Sequence, residues 1–228
     1  MYLSIIIPST PDMNKLILVS LTIGLLLLSG CITIIEKYNI YKDGSGTMEY
    51  IIDMSEMYEM MATFSDSIDK MEGLDFINEI LPELSRTAGI SNVENTSNLA
   101  RYIAGVKFDF KNVSALNNVL DVLLKGEESS SAKAKYVEIN GKNFTRYSLT
   151  SKEFNKEALL GSKELDEETM NLVLKSMKYK ISVSFEKTIK KVITLAPYTK
   201  EGKTVTIDTD FSEIFGNPDI LKTTIKTK

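Results

Sequence analysis

Residues 16–35 (LILVSLTIGLLLLSGCITII) form an uncharged, strongly apolar run, and no other segment restricts the chain so sharply. A run of this length costs too much to leave in water and is long enough to enter a bilayer. Three fates are open to it: a cleaved export signal, an uncleaved anchor, or a buried core helix. The order of residues favours the signal. Met13-Asn14-Lys15 supplies a short positive start, the apolar stretch follows, and the small residues Ser29-Gly30 close it. Residues 1–12 fit a signal poorly, because Pro8 and Pro11 would interrupt its helix and Asp12 is acidic. Translation from Met13 would leave a leader of residues 13–30.

The tetrapeptide Leu28-Ser29-Gly30-Cys31 resembles the lipobox of bacterial lipoproteins, and Cys31 is the chain's single cysteine. The resemblance implies cleavage after Gly30, diacylglycerol on the Cys31 thiol and acylation, palmitate-like, of the new amino group. Residues 1–30 are then a signal peptide, and residues 31–228 a mature protein held to a membrane of the cell envelope through lipidated Cys31. Each buried CH₂ of such chains contributes about 0.8 kcal/mol, so two or three of them bind almost irreversibly. Ile32 follows the cysteine where an Asp would, by the same resemblance, favour inner-membrane retention. The expectation is therefore a periplasm-facing or exterior lipoprotein, on the outer membrane if the cell has one.

Composition narrows the chemistry. Hydrophobic residues make up 43% and charged residues 25%, which suits a globular fold. With no His and one Cys, the chain lacks the material for His triads, His/Cys zinc sites, CxxC redox chemistry or an internal disulfide. No metal, cofactor or catalytic residue is assigned, and the chain is read as non-enzymatic. The net charge is −4, but it is unevenly spread: net −9 over residues 32–130 and net +5 over 175–228. Lys187, Lys190 and Lys191 are the densest basic group, too few and without interleaved aromatics to argue for nucleic acid. The carboxylates of Asp208-x-Asp210-x-x-Glu213 resemble part of a hard-cation site, yet helix capping explains them more simply.

Period-two and period-3.6 patterns predict an α+β fold, an antiparallel sheet of hairpins with amphipathic helices on one face. Asp43-Gly44-Ser45-Gly46 marks the turn of a hairpin over residues 33–54. Ser55 caps a helix whose stripe is Met57, Met60, Met61, Phe64 and Ile68. A second helix covers 75–88, with Pro82 expected to kink or split it. Residues 91–98 read as a polar loop or a poorly ordered edge. A strand follows with Tyr102, Ala104, Val106, Phe108 and Phe110 on its buried face, then a helix with Leu116, Val119, Leu120 and Leu123. The stretch at 126–132 (GEESSSA) is a possible internal boundary of an otherwise single domain. Asn140-Gly141 predicts a second hairpin, followed by a short helix at 153–160, a helix at 166–177 and a strand from Tyr179. Further strands are expected at 192–195, 203–209 and 220–225, with a turn of helix at 211–215. Hairpin, helix, strand thus occurs twice, which also allows two similar subdomains.

The order lipobox, strand, Gly-rich turn, strand, helix resembles uncharacterised bacterial lipoproteins and the LppM-like lipoprotein domain, on residues Leu28–Cys31 and Asp43–Met48. That resemblance implies an envelope lipid-binding module and identifies no site residues. Two functions follow: a binding or structural module with a protein partner, or a carrier or sensor of a lipid or other hydrophobic ligand. For the second, flexible and polarisable Met57, Met60 and Met61 with Phe64 are the candidate ligand-binding residues. The same stripe would equally serve as ordinary core between helix and sheet.

Overall fold

The computed structural model describes residues 32–64, 76–125, 134–148 and 166–228. Cys31, Gly30 and the whole leader, the possible boundary at 126–132 and the helix expected at 153–160 lie outside these residues. Among the described residues, eleven strands form two sheets, mostly antiparallel, accompanied by five α-helices.

The first hairpin joins β1 (Thr33–Ile40) to β2 (Gly46–Asp53), with Thr33 opposite Asp53 and Ile40 opposite Gly46. Its turn uses Gly44 at φ +86°, and Asp43 Oδ1 accepts from the Ser45 amide at 3.0 Å. Helix α1 (Ser55–Phe64) follows, started by Asp53, whose Oδ1 accepts from the Ser55 amide and hydroxyl. Helix α2 (Phe76–Arg86) carries Pro82 inside it without ending. Of the kink or split expected at Pro82, the split does not occur, and Ile77 and Leu84 are buried on either side of it.

Residues 90–95 form strand β3 (Ile90–Asn95), so of the loop and the edge expected here it is the edge that forms. The pairing with β4 (Ile103–Phe110) shifts register between Ser91 and Glu94, and Asn92 sits at φ +52°. A bulge of this kind destroys the period-two signature, which is why the segment does not read as a strand. Helix α3 (Val113–Lys125) buries Ala115, Leu116, Val119 and Leu120. The second hairpin, β5 (Val137–Asn140) with β6 (Asn143–Arg146), turns at Gly141, φ +60°.

Helix α4 (Glu167–Ser176) is capped by Asp166 and leads into β7 (Lys178–Phe185). Strands β8 (Ile189–Thr194), β9 (Tyr198–Glu201) and β10 (Thr204–Asp210) come next, then α5 (Phe211–Gly216), a 3-10 turn at Pro218–Leu221 and β11 (Thr223–Thr227). The strand expected at 220–225 is displaced because Asn217-Pro218 starts the 3-10 turn. All four residues of β9 are exposed, so it shows no alternation to read.

The large sheet runs β3-β4-β2-β1-β7-β10-β9 and the small one β5-β6-β11-β8. One pairing departs from the antiparallel expectation: β1 and β7 are parallel, Thr33 beside Lys178 and Ile40 beside Phe185. Both strands enter from the same end, β1 directly and β7 through α4, so they cannot oppose each other. The chain's two halves thereby share one sheet. Even positions of β1 and odd positions of β7 face inward and are buried. The small sheet covers the middle of that inner face, where Phe144 packs between Tyr38 (ring centroids 5.6 Å) and Phe185 (6.0 Å). Helices α2 and α3 lie against β3 and β4, and α4 and α5 against β10.

Candidate functional site

The inward row of β1 reads Ile34, Glu36, Tyr38, Ile40, so Glu36 is carried into the core by strand geometry alone. On β6 the inward row is Phe144 and Arg146. The two charged side chains meet between the sheets, and both are 0% exposed. Arg146 Nε donates to Glu36 Oε2 at 2.9 Å and Nη2 donates to Oε1 at 2.7 Å, a two-pronged pair. Tyr38 donates its hydroxyl to Oε2 at 2.5 Å and Tyr179 donates to Oε1. The third Arg146 nitrogen, Nη1, donates to the Tyr147 carbonyl at 2.6 Å.

Four donors occupy the two carboxylate oxygens, which is their capacity. Burial pushes the Glu36 carboxyl up, but the Arg146 charge and hydrogen bonds, with those of Tyr179 and Tyr38, outweigh it and hold the carboxyl below its ordinary value. Burial, then the Glu36 charge, push the hydroxyls of Tyr38, Tyr179 and Tyr50 upward. The Glu36 carboxylate is saturated, and both charged side chains are sealed from water. The pair joins Glu36 of the large sheet to Arg146 of the small one, between the two. Pattern reading missed it, although the signal was present: Glu36 alternates with Ile34 and Tyr38 on the apolar face of a strand.

The residues expected to act are placed as follows. Cys31 and Gly30 lie outside the described residues. On α1, Met57 is half-buried, as is Met54 just before the helix. The side chains of Met60, Met61 and Phe64 lie outside the described set. Asp210 caps α5, accepting from the Glu213 amide at 3.0 Å, as the capping expectation has it. Among the described residues no three His, Cys, Asp or Glu side chains converge into a group that could hold a metal ion. No described helix is long and apolar enough to cross a membrane.

The surface of the described residues offers three features, one of them a hollow beside α3 lined by Ser114, Asn117, Asn118, Asp121, Ala134 and Lys135. A cleft between the turns of the two hairpins, lined by Ile40, Tyr41, Ile139, Phe144 and Phe185, has room for about one water molecule. The third is the edge formed by β8 and the following bend. Ile193, Leu195 and Tyr198 are 46%, 65% and 49% exposed there. Lys190 and Lys191 are exposed beside them, and Lys191 faces Lys226 across the strands. This edge is apolar and basic together, and it joins the rims of both sheets.

No family model and no curated protein matches the chain. Among solved structures it is similar to the NMR structure of the folded domain of LppM from Mycobacterium tuberculosis, at TM-score 0.39 and 10% identity, over 88% of this chain and 91% of that one. A likeness of that depth carries no argument about function.

Proposed function

We propose that the chain is a lipoprotein of the bacterial cell envelope, attached to a membrane through Cys31, whose folded part binds or scaffolds and does not catalyse. The observation that carries this reading is the lone cysteine at the end of the lipobox, with β1 beginning two residues later. A tether so short holds the Thr33 end of the large sheet at the bilayer. The β8–β9 edge is then at the side of the molecule, where a protein neighbour can reach it. In support of a non-catalytic role stand the absence of His from the sequence and the saturation of the buried Glu36 carboxylate.

Metabolic labelling with a fatty-acid analogue tests the attachment. The wild-type chain should take up label and Cys31→Ser should not; label persisting in that variant would end the lipoprotein reading. Crosslinking in intact cells tests the scaffold role, which is abandoned if no protein neighbour is trapped. A second reading, carriage of a lipid or other hydrophobic ligand, is favoured by Met54 and Met57 being only half-buried at the start of α1. Native mass spectrometry of the purified protein should then show a co-purified ligand, and a clean ligand-free mass sinks it.

A further inference from the structure

One end of the large sheet is defined by a row of paired residues: Thr33 opposite Asp53, Asp53 opposite Ile103, and Thr33 beside Lys178. The tip of the β3–β4 hairpin projects from this end. Asn98 and Ile103 close it with a pair of hydrogen bonds of 2.8 and 3.0 Å, and a 3-10 turn, Leu99–Arg101, forms the tip. The Met54 amide donates to the Tyr102 carbonyl at 2.9 Å, fastening the tip to the end of β2. Leu99 is 45% exposed and Arg101 is exposed. Tyr102 is held at φ +56°, an uncommon conformation for a bulky residue, and its ring stacks on Tyr58 at 4.0 Å.

We infer that this tip is a second membrane contact, seated on the lipid headgroups beside the acylated cysteine. The inference rests on the attachment at Cys31 proposed above. Strand β4 is two strands from β1, about 10 Å sideways. Cys31 precedes Thr33 by two residues, a reach of about 7 Å when extended, and a three-residue 3-10 turn spans about 6 Å. An anchor on so short a leash brings the tip to the bilayer surface with it. The side chains suit that place: an exposed Leu to enter the acyl boundary, an Arg to reach the headgroups, and Tyr at the interface. Two carboxylates at the same end are already engaged. Asp53 binds Ser55, while Asp210 caps α5 and faces Lys178 at 3.7 Å. Glu56 stays exposed, so Arg101 and Lys178 stand against Asp53, Glu56 and Asp210, a near balance that suits a zwitterionic bilayer.

The chain contains no Trp, so Leu99→Trp, Arg101→Trp and Tyr41→Trp each create a single fluorescent reporter. Tyr41 is exposed at the opposite end of β1. The full-length variants, purified from membranes with their acyl groups, are placed in phosphatidylcholine vesicles with brominated acyl chains. Tryptophan at 99, and at 101 as a second position, should lose roughly half or more of its emission, as a side chain at the headgroup boundary does. Tryptophan at 41 should keep its emission. Acylated protein that floats with the vesicles while both tip reporters stay bright overturns the contact alone. Equal quenching at 41 and 99 also overturns it. Protein without acyl mass that fails to float overturns the attachment, and the contact falls with it.

Discussion

Replacing Arg146 by Met should expose how the two sheets are held. The substitution keeps an apolar side chain between the sheets and removes both bonds to Glu36, of 2.9 and 2.7 Å. Glu36 stays at 0% exposure with a charge answered only by two tyrosine hydroxyls. Breaking one side of a buried pair costs about 3–5 kcal/mol. With a urea slope of about 2–3 kcal/mol per M for a domain of this size, the unfolding midpoint should fall by about 1–2 M. Urea titrations followed by far-UV circular dichroism at pH 7 measure this. The pH dependence gives a second signature. In the wild type the Glu36 carboxyl is held low, so its contribution is present above the ordinary carboxylate value, about 4.3, and is lost as pH falls through the folded value. In the variant, burial without the guanidinium raises the carboxyl. Its folded form then favours the proton, and stability is lost as pH rises through that raised value. The gap between the two proteins should therefore narrow between pH 7 and pH 5. Adding Glu36→Gln should recover part of the loss, though not all, because Tyr38 and Tyr179 lose their charged acceptor. A loss at pH 7 under about 1 kcal/mol, or a gap unchanged with pH, would refute the reasoning.

Three further outcomes follow from local geometry. Asn117 joins α3 to β5: its Oδ1 accepts from the Tyr136 and Val137 amides at 2.8 and 2.9 Å, and its Nδ2 donates to the Val113 and Val137 carbonyls. Asn117→Ala strands those amides and should cost roughly 2–4 kcal/mol, seen as a fall in Tm of roughly 5–15 °C; a fall under about 2 °C contradicts it. In Gly46→Ala the new Cβ would stand 2.1 Å from the Asn39 carbonyl oxygen and 2.7 Å from Phe110. That change should cost about 3 kcal/mol or more, whereas Gly141→Ala, with nothing within 4 Å, should cost about 1 kcal/mol for its positive φ; equal urea midpoints for the two variants would be inconsistent with the contact geometry. Asp210→Ala removes the α5 cap and should cost about 1 kcal/mol, with faster hydrogen exchange at the Glu213 amide as the local readout.

Local pattern is enough for the elements whose information lies within a few residues. The 33–54 hairpin is set by alternation around a turn that needs Gly44, and α3 by a stripe from Leu116 to Leu123. These patterns work because neighbours along the chain decide which face is buried. Edge strand β9 escaped the same reasoning because it is exposed at every position, and β3 reads only as a loop or a poorly ordered edge because a bulge at Asn92 breaks its alternation. Local order likewise pointed to a helix cap among the carboxylates at 208–213, because a cap bonds within its own turn of helix, and the structure chose Asp210.

The arrangement of the hairpins comes from long-range packing. The parallel pairing of β1 with β7, and the division into two sheets, depend on which end each strand enters from, which no local period encodes. Inward placement of Glu36 could be read from its apolar neighbours, but its partner is 110 positions away. A buried carboxylate demands a counter-charge without saying which of the chain's cations will supply it. Packing one sheet against another makes that choice, because only a cation carried to the same depth of the core can meet it.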